Sequence, residues 1–85
     1  MAKYTVFITK TVRKHLAKLP NEVADRLEEK MLQLEDNPRP RETKKLKGRD
    51  AYRIRVGDYR FIYIIKDKML IITIIKIGHR KDIYK

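Results

Sequence analysis

Eighty-five residues without cysteine, serine or tryptophan make one small domain and exclude a disulfide scaffold, a thiolate metal site and any mechanism built on a Ser or Cys nucleophile. Two histidines argue against a zinc site with several His ligands, and neither a metal nor a cofactor is expected. Twenty-two Lys and Arg against eleven Asp and Glu leave +11 with a pI near 10.1, a field that favours a polyanionic partner.

The charge is unevenly placed. Residues 21–37 hold six acids and two bases, a net of −4, so the other 68 residues carry +15. The first ten residues lack the apolar block of a signal peptide. The longest apolar run, Met69 to Ile75, is too short to span a bilayer. A cytoplasmic domain with no membrane partner is the expectation.

Residues 3–9 alternate, with Tyr4, Val6 and Ile8 against Thr5, Phe7 and Thr9, which predicts a strand. Val12, Leu16 and Leu19 follow at helical spacing, with Thr9 or Thr11 as N-cap. His15 reads as an exposed residue on the basic side of this helix. Pro20-Asn21 breaks it, and Asn21 is the expected cap of a second helix with Glu22 and Asp25 at its positive end. Val23, Leu27, Met31 and Leu34 form its apolar stripe, and Asn37-Pro38 ends it. Residues 38–49 read as a basic, Pro-containing loop. Its cations Arg41, Lys44, Lys45, Lys47 and Arg49 suit a polyphosphate track.

The period then switches to two. Tyr52, Ile54 and Val56 alternate with Arg53 and Arg55, and Gly57-Asp58 is a two-residue hairpin turn. Tyr59, Phe61, Tyr63 and Ile65 alternate with Arg60, Ile62 and Ile64. Lys66-Asp67-Lys68 reads as a second turn, Met69 to Ile77 as the last strand. The order β-α-α-β-β-β over residues 1–85 predicts a single α+β domain, a mostly antiparallel sheet with a two-helix hairpin packed on one face.

A two-residue turn at 57–58 sets Arg55 opposite Arg60 and Arg53 opposite Ile62. Like charges directly opposite destabilise a sheet, so an anion is expected between them, and the planar guanidinium suits a phosphate. With a two-residue second turn at Asp67-Lys68, Ile75 would face Arg60, and Ile77 and His79 would fall on the arginine face. Arg53, Arg55, Arg60 and Arg80, with His79 and Tyr84, would then surround one phosphate. No carboxylate pair is placed there for a metal, which points to metal-free phosphodiester chemistry with an RNA 2′-OH as nucleophile. Ile62, Ile64, Ile71 and Ile75 would share the face away from the helices, where a partner segment with apolar anchors and acidic flanks would cover them.

The run Tyr52-Arg-Ile-Arg-Val-Gly-Asp-Tyr-Arg-Phe-Ile-Tyr63, then Ile77-Gly-His-Arg-Lys-Asp-Ile-Tyr84, with Leu46-Lys-Gly48 upstream, resembles the RelE-type toxins of the RelE/ParE superfamily. The preceding helical hairpin and Asn37-Pro38 fit too. The resemblance implies a toxin of a type II toxin–antitoxin system, an endoribonuclease that cleaves mRNA in the ribosomal A site. Its implied partners are the ribosome, mRNA and a cognate antitoxin in a hetero-oligomer. By position, Arg60 matches a phosphate-binding arginine, Arg80 one at the leaving-group side and Tyr84 a tyrosine at the substrate. Arg53 and Arg55 stand where well-studied members have lysines. Neither can be deprotonated, so the general base falls to Tyr84 or His79. The alternative is a non-catalytic toxin or binding protein, either a ParE-like gyrase inhibitor or a basic RNA-binding module.

Overall fold

The computed structural model describes residues 3–48 and 50–79. The elements run β1 (Thr5–Ile8), α1 (Lys10–Ala17), α2 (Asn21–Gln33), β2 (Lys44–Lys45), β3 (Ala51–Val56), β4 (Tyr59–Lys66), a 3₁₀ turn (Asp67–Met69) and β5 (Ile71–His79). The five strands form one sheet in the order β1-β5-β4-β3-β2. Only β1–β5 is parallel among these pairings. The α+β architecture agrees with the sequence reading. The short β2 does not: residues 44 and 45 pair with Arg53 and Tyr52 where a loop is expected, because the exposed edge of β3 offers backbone partners that a two-residue segment takes without any apolar pattern of its own.

Thr9 caps α1, its hydroxyl oxygen accepting from the Val12 amide at 3.3 Å. Asn21 is not the cap of α2. Pro20 occupies that position, and its carbonyl accepts from the Val23 and Ala24 amides, each at 3.0 Å. Proline has the preset φ that suits a helix entry and no N–H to leave unpaired. The apolar stripes of both helices lie on one side of the sheet. Val12 and Leu16 of α1, Leu27 and Met31 of α2 and its C-cap Leu34 pack with Ile54, Phe61, Tyr63, Ile65, Ile72, Ile74 and Ile77 in one buried cluster. Each fully buried Leu or Ile contributes about 1.5–3 kcal/mol, which is most of what holds so small a fold together.

The first hairpin has the expected register, with Val56 opposite Tyr59, Arg55 opposite Arg60 and Arg53 opposite Ile62. Gly57 sits at φ +61, which glycine reaches without steric cost. The second hairpin departs from expectation. Lys66 pairs with Ile71 across a connection that runs through the 3₁₀ turn and Leu70, which is left-handed at φ 55. That moves β5 by two residues. A bulge at Ile62/Tyr63, where Ile62 pairs with Lys76 and Tyr63 with Ile74, moves it by one more. An odd total shift reverses which face each upper β5 residue occupies. Gly78, not Ile75, stands opposite Arg60.

The loop between α2 and β2 is tied to the core by Tyr63. Its ring is fully buried, its hydroxyl donates to the Pro38 carbonyl at 2.8 Å, and Thr43 Oγ1 lies 3.1 Å away. Burial raises the pKa of this phenol, which keeps its proton for the bond to Pro38. Tyr63→Phe is therefore expected to lower unfolding free energy by about 1–2 kcal/mol, the cost of an orphaned carbonyl. A urea titration with unchanged slope and unchanged midpoint would contradict this account.

Candidate functional site

The site is built on the sheet face opposite the helices. Residues of β3 and β4 that do not point into the core point here by the period of two. Row by row, Lys44, Arg53, Ile62 and Lys76 lie across β2, β3, β4 and β5, and Arg55, Arg60 and Gly78 form the next row. Five cations thus occupy two adjacent rows. Glu42, Lys44, Arg53, Arg55 and Arg60 line a cleft of ≈ 260 Å³.

Arg60 is 7% exposed, a charged residue held among buried neighbours. Guanidinium groups cannot discharge by losing a proton, so each arginine keeps its charge in the cleft. The Arg55 side chain turns toward the hairpin, its Nε donating to the Gly57 carbonyl at 3.1 Å. Glu42 is the carboxylate of the cleft wall. Lys30 holds it at 2.8 Å, and that bond keeps its pKa below the usual glutamate value. Among the described residues no group of three or more His, Asp or Glu is arranged to hold a metal ion.

The structure brings together Arg53, Arg55, Arg60 and Lys44. Lys45 pairs with Tyr52, so its side chain belongs to the other face of the edge, and Arg41 and Lys47 sit on exposed stretches flanking β2. Arg49, Arg80 and Tyr84 lie outside the described residues. His79 is displaced from the expected position. The shifted register pairs it with Tyr59, and the two rings meet edge to face at 5.5 Å. Tyr59 packs against the core, so the imidazole stands on the helix side of the sheet and not beside the arginines. Ile77 likewise moves from the arginine face into the core.

Ile62, Ile64 and Ile71 keep their expected face, outside the core cluster, but Ile62 is already buried within the chain at 9% exposure and needs no partner to cover it. Ile75 does not. It is the extra residue of the bulge and lines a hollow with Thr11, Val12 and His15 of α1. Phe7 takes a place on the outer face that the sequence reading did not give it. It stands in a row with Thr73 and Ile64 and is 52% exposed. Alternation within β1 places it opposite Val6 and Ile8, but only the β1–β5 pairing puts it in the row of Ile64, with Thr73 between them. Lys76 and Glu42 were also missed as neighbours of the arginines, because the bulge and the loop path that place them leave no periodic signal.

The match to known proteins covers nearly the whole chain. A family model described as the ParE toxin of the type II toxin–antitoxin system parDE matches residues 6–84. A relative from Methanocaldococcus jannaschii that carries the name toxin RelE1 is 39% identical over 87 residues, covering 98% of this chain and 97% of its own. Two solved structures are similar. The RelE–RelB complex of Pyrococcus horikoshii has a TM-score of 0.83 and 41% identity over 93% of this chain and 97% of that one. The RelBE2 toxin–antitoxin complex of Mycobacterium tuberculosis has a TM-score of 0.81 and 32% identity over 93% and 100%. The chain belongs to the RelE/ParE family of type II toxins.

The Arg55–Arg60 pair gives a direct test of the site's cost to the fold. Arg55→Glu replaces a like-signed cross-strand pair by an opposite-signed one, and the gain expected is about 0.2–1 kcal/mol in thermal or urea unfolding at low salt. A variant less stable than its parent would mean that Arg55 is held by packing and not tolerated for function.

Proposed function

We propose that this toxin is a metal-free endoribonuclease that cuts mRNA on the ribosome and so inhibits translation in the cytoplasm. The observation that carries the reading is the cleft walled by Lys44, Arg53, Arg55 and Arg60, four cations gathered where the fold alone would gain from fewer. In the reaction the 2′-oxygen of one nucleotide attacks the adjacent phosphorus. The bond to the 5′-oxygen breaks, leaving a 2′,3′-cyclic phosphate and a 5′-hydroxyl. A base takes the 2′ proton, and an acid returns one to the leaving oxygen.

Arg60 donates to the non-bridging oxygens as negative charge builds on them. Such donors act with most effect where water is excluded, and its burial fits that role. Arg53 and Arg55 share the phosphate, and Arg80 serves the leaving-group side. The register of β5 takes His79 away from the arginines, which favours the Tyr84 phenol for the general base. Arg41, Lys44, Lys45, Lys47 and Arg49 track ribosomal or messenger phosphates.

The antitoxin is the second partner. The solved relatives from Pyrococcus horikoshii and Mycobacterium tuberculosis are themselves toxin–antitoxin complexes, which supports one here. Its apolar anchors meet the part-exposed Ile64 and Ile71 together with Phe7, and its acidic flank reaches the arginines in the next rows. Ile64→Asp is expected to weaken antitoxin binding in calorimetry far more than it lowers the melting temperature. Outright unfolding of the mutant would make Ile64 ordinary core.

Inducible expression with mapping of mRNA 5′ ends tests the reaction. New ends within translated codons are expected for the wild type. Arg60→Ala, kept folded by circular dichroism, should cut about 10²–10³ times more slowly, the usual loss for one donor to a developing oxyanion. Intact mRNA with DNA damage would instead select a ParE-like gyrase inhibitor.

A further inference from the structure

The surface where α1 meets the upper half of β5 is also cationic, and α1 has no part in the reading above. β1 pairs with β5 only from Ile71 to Ile74. Beyond Ile74, among the described residues, α1 rather than a strand flanks that side of β5. There Thr11, Val12, His15, Ile75, Lys76 and Ile77 line a hollow of ≈ 380 Å³ that also reaches Gly78. A second hollow shares Thr11 and His15 and is walled by Lys14 and Lys18. The two are therefore one surface, with the half-buried His15 ring between them. Its floor is apolar (Val12, Ile75 and Ile77), and its rim is Lys14, Lys18 and Lys76.

No Asp or Glu occurs in residues 1–21 or 68–81, so the segments that build this surface bring no negative charge to it. The surface is also continuous with the cleft. Lys76 lies in the same row as Arg53, and Gly78 is opposite Arg60. From β3 to β5 is two strand spacings, roughly 10 Å, a distance that a single strand of a few nucleotides spans.

We infer that α1 and the upper edge of β5 form a second subsite for single-stranded RNA, which takes the nucleotides flanking those in the arginine cleft. Lys14, Lys18 and Lys76 pair with phosphates. The apolar floor and the His15 ring take the face of an unstacked base, which a single strand offers and a duplex does not. The inference rests on the RNA-cleaving reading of the cleft and extends it to substrate length.

Binding of a fluorescent nine-nucleotide 2′-O-methyl RNA, which cannot attack its own backbone, tests it by anisotropy between 50 and 200 mM salt. Lys14→Gln/Lys18→Gln is expected to weaken binding at least tenfold and to make the log–log salt slope shallower by about 1.4, two single-strand phosphate contacts. Lys66→Gln/Lys68→Gln, with the same loss of charge at the other end of the sheet, should change affinity less than threefold. His15→Ala should lower affinity with the slope unchanged. Equal losses in the two double variants would reduce the surface to a general field and overturn the subsite. So would a Lys14/Lys18 variant that binds RNA normally but fails to bind purified antitoxin, since the occupant would then be protein. If the wild type binds and Arg60→Ala does not, while the α1 variants match the wild type, only the subsite fails. A wild-type protein that does not bind this RNA at 50 mM salt would sink the cleft reading along with it.

Discussion

The pairing of β3 with β4 is the constraint from which the remaining arrangement follows. A turn of two residues at Gly57-Asp58 leaves one register open to it, and in that register every alternate side chain is committed. Ile54, Phe61 and Tyr63 go beneath the helices, and Arg53, Arg55 and Arg60 go to the opposite face. Sliding β3 by one residue would carry Arg53 and Arg55 to the core face and bring Ile54 out of it, a heavy cost for so small a fold. The burial of Ile54, Phe61 and Tyr63 therefore holds the arginines against one another. Apolar packing on one side of the sheet thus holds a like-charged cluster together on the other.

The two ends of the sheet are finished in different ways. At the end near the 3₁₀ turn, polar groups close on one another. Arg39 donates two bonds to Asp67 at 2.8 and 3.2 Å, Tyr4 donates to the same carboxylate at 2.7 Å, and the guanidinium lies 5.1 Å from the centre of the Tyr52 ring. Arg39 and Tyr4 together hold the Asp67 carboxyl below its ordinary pKa. These contacts are exposed and individually weak, but they join β1, the loop after α2 and the second turn. With the Tyr63–Pro38 bond they fix the path of residues 38–43. That path delivers Glu42 and Lys44 to the cleft wall. At the other end the charges are mostly of one sign and face outward.

The helices continue this division. Across α1 the charged residues are Lys10, Arg13 and Lys14, with Lys18 at its end, and none is acidic. α2 carries Glu22, Asp25, Glu28 and Glu29 against Arg26 and Lys30. One helix thus extends the cationic surface around the edge of β5, while the other presents acid on the side away from the arginines. Such a charge distribution orients the molecule before contact as well as holding it afterwards. A polyanion approaching the acidic helix would be repelled, and one approaching the cleft or α1 attracted.

The alternation of Tyr52 to Ile65 around Gly57-Asp58 determined the first hairpin, its register and the arginine cluster, because a period of two and a two-residue turn leave no freedom. The spacing of Val23, Leu27, Met31 and Leu34 determined α2 and its buried face in the same way. The order of elements and the kind of sheet followed from these local signals. The position of β5 did not. Its face is set by a turn that runs through a left-handed Leu70 and by a bulge at Ile62/Tyr63, and neither residue type announces such geometry. Isoleucine recurs so densely from Ile71 to Ile77 that either parity would bury apolar side chains, so the pattern carried no information about which one did. Only the fit of β5 between β1 and β4 over the two helices decided it. That fit turned His79 toward Tyr59, put Ile77 in the core, and brought Lys76 beside the arginines.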